Sequence, residues 1–127
     1  MTDNVYRLDY GQCRKVLSQR LNEPAPGRIQ LLTGPRQVGK TTLLLDVAKR
    51  FGKASHYAAM DDPVAALPGF WERIWEEAES RAASGRGVLL LDEIQHFADW
   101  ATRLKAQYDR IMRKKIPLRR AGALTTR

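Results

Sequence analysis

The sequence has 127 residues, of which 43% are hydrophobic and 28% are charged. This length and composition are typical of one globular domain with a single core. No apolar run approaches the roughly 20 residues that a membrane-spanning helix needs, and the N-terminus lacks the apolar stretch of a secretory signal. We therefore expect no membrane partner. Cys13 is the only cysteine, which excludes an internal disulfide and predicts a cytoplasmic location.

The chain is basic, with 22 Lys and Arg residues, 14 Asp and Glu residues and a net charge of +8. The excess is confined to one end, because residues 1–100 contain 13 residues of each sign, whereas residues 101–127 contain nine basic residues and one acidic residue. Clustered Lys and Arg would bind nucleic-acid phosphates, so residues 103–120 are a candidate nucleic-acid surface. A solvated helix face followed by a tail explains the same pattern.

The first 27 residues predict a helix and a proline-rich connector. Apolar side chains at Val16, Leu17 and Leu21 follow helical spacing, which predicts an amphipathic helix over residues 8–21. Two prolines and a glycine then interrupt regular structure over residues 23–27. We expect the core of the domain to occupy residues 28–115.

Strand and helix patterns alternate through this core. Short apolar runs predict strands at residues 29–32, 55–60 and 88–91. Helices are expected after each of them, the third being capped by Asp99. The alternation predicts an α/β fold with a parallel sheet and flanking helices. The inner positions of the three helices are, in turn, Leu43, Leu44, Val47, Ala48 and Phe51; Trp71, Ile74, Trp75 and Ala78; and Trp100, Leu104, Tyr108, Ile111 and Met112.

A phosphate-binding loop is predicted between the first strand and its helix. Residues 34–41 read GPRQVGKT and fit G-x-x-x-x-G-K-[ST] in the strand-to-helix context that this motif requires. The loop amides and the helix N-terminus would hold phosphates, Lys40 would reach the β- and γ-phosphates, and the Thr41 hydroxyl would bind Mg²⁺. The predicted nucleotide-binding residues are Gly34, Pro35, Arg36, Gln37, Val38, Gly39, Lys40, Thr41 and Thr42.

Two carboxylates end the third predicted strand. In a phosphoryl-transfer site Asp92 would hold Mg²⁺ and Glu93 would act as the catalytic group that polarises the attacking water, beside Lys40. The alternative is that Asp92 caps a turn and Glu93 is solvated. Asp61 and Asp62 end the second predicted strand, where a role near the nucleotide and a role in a turn are both open.

Several segments resemble a known family. The stretches GRIQLLTGPRQVGKTTLL, HYAAMDDP and VLLLDEIQHFADWATRLKAQYDR are similar to those of bacterial and archaeal AAA-superfamily ATPases with a C-terminal domain of unknown function. The resemblance covers about residues 8–118. It implies a P-loop NTPase core of the ASCE type that binds ATP and Mg²⁺, with residues 34–42 as Walker A, Asp92 as the Walker B aspartate and Glu93 as the catalytic glutamate.

The resemblance ends near residue 118. In the family, the segment that matches residues 116–118 leads into an apolar fourth strand, which lies between the first and third strands and ends in a polar sensor residue. Here Arg119 and Arg120 follow. They would point to opposite faces of a buried strand, where an unpaired charge is costly. We therefore expect residues 116–127 to form a divergent basic tail on a truncated, partial core; a small complete domain and an inactive fragment are the alternatives.

Overall fold

The computed structural model describes residues 10–24, 29–35, 39–84 and 87–125. Within these ranges four α-helices alternate with four β-strands, and short 3-10 helices connect them at Gly52–Ala54, Pro63–Ala66, Ala82–Ser84 and Ile94–His96. The longer elements are α1 (Tyr10–Leu21), β1 (Gln30–Gly34), α2 (Lys40–Phe51), β2 (Ser55–Ala59), α3 (Phe70–Arg81), β3 (Gly87–Asp92), α4 (Trp100–Lys114) and β4 (Leu118–Thr125).

The four strands form one parallel sheet with the order β1-β4-β3-β2. In the centre of the sheet Ala121 lies between Gln30 of β1 and Leu90 of β3. All four carboxyl ends consequently lie at one edge of the sheet. The predicted α/β fold with a parallel sheet and flanking helices is confirmed.

Two apolar layers cover the faces of the sheet. One contains α1, α2 and the side chains of β3 and β4 that point toward them: Leu17, Leu21, Leu43, Leu44, Val47, Val88, Leu90, Ala121 and Ala123. The other contains α3, α4 and alternate residues of the strands, among them Trp71, Ile74, Trp75, Leu89, Leu91, Leu104, Ile111 and Leu118. Because successive strand residues point to opposite faces, the uninterrupted apolar run of β3 serves both layers.

Polar contacts fix α1 against α2. Arg14 and Asp46 form an ion pair of 2.9 Å between Nε and Oδ2, and Nη1 of Arg50 donates to Oγ of Ser18 at 2.8 Å. Exposed ion pairs contribute little energy, so the buried leucines account for most of the attachment of α1. The described part of the predicted N-terminal helix begins at Tyr10, and residues 25–27 of the predicted connector lie outside the described ranges.

Two details of α4 differ from expectation. Leu104 and Ile111 are buried as predicted, but Met112 is 40% exposed, because it follows Ile111 and is rotated about a quarter-turn or more away from the inner face. Asp99 occupies the N-cap position, yet its φ of 55° places it in the left-handed region and its side chain makes no capping hydrogen bond. A capping side chain normally requires an extended backbone at that position.

The prediction of a tail outside the core is wrong for Leu118–Thr125, because this segment forms the central strand β4. Small residues make the position possible: Ala121, Gly122 and Ala123 occupy the middle of the strand. A Cβ atom added to Gly122 would lie 3.2 Å from Cδ2 of Leu31 and 3.3 Å from the carbonyl oxygen of Leu91. The neighbouring strands therefore fill the space that larger side chains of β4 would take.

The two arginines of β4 are accommodated on different faces of the sheet. Arg119 is half-buried, whereas Arg120 is only 1% exposed and its guanidinium carbon lies 5.5 Å from the centroid of the Tyr108 ring. Burial lowers the pKa of Arg120 to about 10, so it is still charged at neutral pH. The cation–π contact offsets part of the cost of burying that charge.

Candidate functional site

A cavity of about 450 Å³ opens at the carboxyl edge of the sheet. It collects residues from the start of α2 and from the ends of β2, β3 and β4: Gly39, Lys40, Thr41, Thr42, Tyr57, Asp61, Asp92, Glu93 and Thr125. Ligands of open α/β sheets bind outside this edge. The structure thus brings Lys40, Thr41, Thr42, Asp92 and Glu93, which the sequence assigned to one site, to a single cavity.

The loop side of the cavity is formed by the turn from β1 into α2. Nζ of Lys40 donates to the carbonyl oxygens of Gly34, at 2.9 Å, and Pro35, at 2.6 Å, and so ties the first turn of α2 to the end of β1. The N-cap of α2 is Gly39, which provides no capping side chain, so no N-cap side chain accepts from the first amides of this helix. Predicted loop residues Arg36, Gln37 and Val38 lie outside the described residues.

Gly39 cannot be replaced without strain. Its φ of 91° is in the left-handed region, and a Cβ atom there would lie 3.0 Å from Cδ2 of Tyr10. The Tyr10 ring therefore covers the backbone of the loop at the point where α2 begins. Both the backbone conformation and the close approach explain why glycine occupies this position of the motif.

The carboxylate of Asp92 is buried and held by two donors. The residue is 3% exposed; its Oδ1 accepts from the backbone N–H of Glu93 at 3.0 Å and its Oδ2 from the hydroxyl of Tyr57 at 2.5 Å. Burial, followed by the hydrogen bond and charge of Asp92, raises the pKa of the Tyr57 hydroxyl above its usual value. The hydroxyl accordingly remains a proton donor over the whole neutral range.

Glu93 is held in a strained conformation by two further residues. Its φ of 51° and ψ of 46° lie in the left-handed region, which costs a non-glycine residue about 1–3 kcal/mol. Its Oε1 accepts from the hydroxyl of Thr125 at 2.8 Å, and its Oε2 accepts from Nε2 of Gln95 at 2.6 Å. The amide N–H of Thr125 in turn donates to Oε1 of Gln95 at 3.2 Å. The three residues form a closed polar ring, which joins the end of β3 to the end of β4.

Sequence reasoning missed Tyr57, Gln95 and Thr125. Thr125 was missed because β4 was placed outside the core, and Tyr57 because a tyrosine in a strand normally indicates packing. Gln95 lies two residues after Glu93 in the sequence, and this short separation was the one available signal that the two side chains could interact. That signal gives no indication of the bond to Thr125, which lies 30 residues away.

The two aspartates after β2 have different roles. Asp61 lines the cavity, whereas Oδ1 of Asp62 accepts from the backbone N–H of Val64 at 2.9 Å and caps the 3-10 helix that follows. The turn alternative therefore holds for Asp62, whereas a role of Asp61 near the nucleotide stays a prediction. A neighbouring groove of about 600 Å³ shares Asp61 but contains none of the loop or Walker B residues that the structure describes, so we locate the site in the smaller cavity.

The donor set fits a magnesium ion that is bound together with phosphates. Hydroxyl and carboxylate oxygens are hard ligands, and Mg²⁺ typically takes one or two protein ligands, water and phosphate oxygens. Among the described residues no group of three or more His, Cys, Asp or Glu side chains would hold a metal ion by itself. Thr41 and Asp92 both line the cavity, and a hydroxyl with a carboxylate fits the one or two protein ligands that Mg²⁺ usually takes.

Part of the excess basic charge is engaged within the fold. Arg110 forms a bidentate ion pair with Glu79 on α3, in which Nη1 lies 3.0 Å from Oε1. Lys105 pairs with Asp109 at 3.0 Å on the surface of α4, and Arg120 is buried. Arg110 and Arg120 are thereby poorly placed to contact nucleic-acid phosphates, whereas residues 113–115 are exposed, so the candidate nucleic-acid surface stays a prediction.

The parallel sheet with flanking helices, and the cavity at its carboxyl edge, identify this chain as an α/β domain of the P-loop NTPase class. The profile of a family described as an AAA domain matches residues 26–122. This match covers more than half of the chain and extends into β4, so the chain belongs to the AAA domain family.

A comparison with curated proteins gives no match. Over its described residues, the chain has no helix long and apolar enough to span a membrane.

Two solved structures share the fold. One is a katanin structure, described as showing the structural basis for katanin self-assembly. It is 18% identical, with a TM-score of 0.55, over 88% of this chain and 38% of that one. A DNA replication initiation factor is 16% identical, with a TM-score of 0.59, over 98% of this chain and 40% of that one. At these identities the similarity shows the fold alone. The chain spans at most 40% of the length of either structure.

Proposed function

We propose that this AAA domain binds ATP together with Mg²⁺ in the cavity at the carboxyl edge of its sheet. One observation carries the proposal: Lys40 and Thr41 at the start of α2, and Asp92 and Glu93 at the end of β3, line the same cavity of about 450 Å³. A cation, a hydroxyl and two carboxylates in this arrangement suit a bound triphosphate and its metal ion.

The phosphates would be held by the start of α2. Its first amides lack a side-chain cap and lie at the positive end of the helix dipole. Lys40 now donates to two carbonyl oxygens of the loop, and an incoming phosphate offers it a charged acceptor, which forms a stronger hydrogen bond than a carbonyl does. Binding would therefore redirect Lys40 from the loop backbone toward the ligand.

The metal would be held by Thr41 and Asp92. Mg²⁺ supplies charge neutralisation to the phosphate oxygens when it is bound. Asp92 brings a carboxylate that is fixed at both oxygens, and Thr41 brings a hydroxyl at the start of α2. The two residues come from opposite sides of the cavity, so together they would orient the triphosphate.

We propose Glu93 as the residue that polarises water, but we expect slow hydrolysis by this chain alone. Both carboxylate oxygens of Glu93 already accept hydrogen bonds. None of the described residues that line the cavity is an arginine, and loss of an arginine finger slows P-loop GTPases by about 10³–10⁵. Binding is thus the part of the proposal with the stronger support.

Thermal unfolding with and without Mg-ATP tests this function. At a ligand concentration of about 100 times Kd the domain should gain about 2.7 kcal/mol, which corresponds to an increase in Tm of roughly 10 °C. Lys40→Ala should abolish the increase, whereas Lys53→Ala, an exposed lysine just after α2, should retain it. The absence of any shift in the parent protein at millimolar Mg-ATP would contradict the proposal.

We also propose that the domain self-associates and acts in the cytoplasm. Support for self-association comes from the fold that this chain shares with the katanin structure, whose description refers to katanin self-assembly. Sedimentation velocity with and without Mg-ATP is the direct test. A monomer at every protein concentration and nucleotide state would contradict self-association.

A further inference from the structure

The position of Tyr57 relative to Asp92 is the most informative feature that the proposed function leaves unused. The hydroxyl of Tyr57 is 2.5 Å from Oδ2 of Asp92. In the sheet Tyr57 pairs with Leu90, whereas Asp92 pairs with Ala59. The Tyr57 ring consequently reaches along the strands by about two residues, from the interior of the sheet to its carboxyl edge.

The ring is supported by apolar packing. Tyr57 packs against the cluster of buried residues that includes Val47, Val88 and Leu90, so its ring lies against rigid helix and strand positions. A side chain that is supported in this way loses little entropy when it forms its hydrogen bond, because its rotamer is already restricted. The hydroxyl is therefore a fixed donor at the edge of the cavity.

The two donors to Asp92 restrain its carboxylate together. Oδ1 is bound by the amide of Glu93, the next residue in the chain, and Oδ2 is bound by Tyr57 from the neighbouring strand. Rotation of the carboxylate would break at least one of these bonds. Each carboxylate oxygen has about two acceptor positions, so one position on each oxygen is left for a metal ion or its water.

We propose that Tyr57 is a positioning residue that orients the Asp92 carboxylate for Mg²⁺. This inference rests on the proposed function, because it takes Mg²⁺ as the ion that Asp92 holds. Partners of metal ligands commonly tune metal affinity in this way, and their loss typically costs 10–100-fold. Tyr57 itself touches neither the ion nor the nucleotide in this role; it acts through Asp92.

The test separates metal binding from nucleotide binding. A fluorescent ATP analogue is titrated into the full 127-residue chain, first in EDTA and then at increasing Mg²⁺ concentrations. In Tyr57→Phe the Kd in EDTA should stay within about twofold of the parent value, since the ring and the loop remain. The Mg²⁺ concentration that gives half of the metal-dependent gain in affinity should rise about 10-fold.

Tyr108→Phe is the matched control. Tyr108 lies on α4 over Arg120 and is not among the residues that line the cavity, so this substitution should leave the Mg²⁺ midpoint unchanged. An unchanged midpoint in Tyr57→Phe would overturn the positioning role. So would an unfolded Tyr57→Phe protein, or equal losses of affinity with and without Mg²⁺, since either result would show a structural role.

Asp92→Asn distinguishes failure of this inference from failure of the proposed function. If this variant retains the full metal-dependent gain, Asp92 does not hold Mg²⁺, and the proposed metal site is itself wrong. If Asp92→Asn reduces the gain, Tyr57→Phe should have no further effect on the part of the Mg²⁺ response that remains in that background. An additional effect there would overturn the claim that Tyr57 acts through Asp92.

Discussion

The two interior strands of the sheet, β3 and β4, occupy equivalent positions but differ in almost every residue. β3 has the sequence GVLLLD, and all six of its residues are buried. β4 has the sequence LRRAGALT and includes two arginines and three small residues. Each strand is nevertheless paired on both sides, so burial at the centre of the sheet does not require a continuous apolar run.

The difference shows two ways to cover a central strand. β3 contributes large side chains to both layers, whereas β4 leaves space that its neighbours occupy, as Leu31 does beside Gly122. Arg120 supplies bulk in place of a leucine, with its guanidinium group over the Tyr108 ring. A long arginine stem packs much as an aliphatic side chain does. Substitution of a buried side chain should therefore change the free energy of unfolding by different amounts, and in opposite directions, in the two strands.

The largest expected effect is at β3. Leu90 is completely buried, and Leu90→Ala should lower the free energy of unfolding by about 2–5 kcal/mol through lost transfer energy and a residual cavity. Leu31→Ala is the control on the edge strand β1, which pairs with β4 and where this side chain is 44% exposed; its cost should be well below that of Leu90→Ala. Urea unfolding measures both. Equal losses would mean that the two strands are packed alike.

A smaller effect of the opposite sign is expected at β4. Arg120→Met removes a buried charge and keeps an unbranched chain of similar length, so the free energy of unfolding should rise by about 1–2 kcal/mol. Arg119→Met, on the other face and only half-buried, should change it by less. Destabilisation by Arg120→Met in urea unfolding would show that the contacts of Arg120 outweigh the cost of its burial.

The same contrast explains how much of the fold could be predicted. Periodicity identified α3 and the apolar run identified β3, because their side chains report burial directly. Arg119 and Arg120 misdirected the interpretation of β4, because the cost of a buried charge was applied without knowledge of Tyr108, which lies on another element. A side chain from another element that packs over a buried charge, as Tyr108 does here, leaves no signal in the sequence around that charge.

The candidate site follows the same rule. Lys40, Thr41, Asp92 and Glu93 were predicted because each lies in a contiguous motif with a fixed spacing, and the cavity contains all of them. Tyr57 and Thr125 bind the acidic pair across 35 and 32 residues, and no short pattern includes such partners. Motifs thus predicted which residues of the described chain share the cavity, whereas the partners of the acidic pair required the three-dimensional fold.

The smallest expected effect concerns a second basic residue of the sheet, His56 on the edge strand β2, where it pairs with Leu89 of β3. Burial and then the charge of Arg81 lower its pKa from 6.5, and Glu77 opposes this only in part. Arg120 stays charged at neutral pH with a pKa of about 10, whereas the lowered pKa of His56 keeps its imidazole neutral there.

The unfolded chain takes up a proton at His56 near pH 6.5, whereas the folded chain does so only at lower pH. The stabilising contribution is therefore complete above pH 6.5 and is lost as the pH falls through the lowered pKa. Urea unfolding between pH 7.5 and 5 should show this loss in the parent protein and in His96→Gln, an exposed control, and a shallower decline in His56→Gln. A decline of the same steepness in His56→Gln would assign the pH dependence to other groups and would remove the contrast between the neutral imidazole on the edge strand and the charged Arg120 on the central strand.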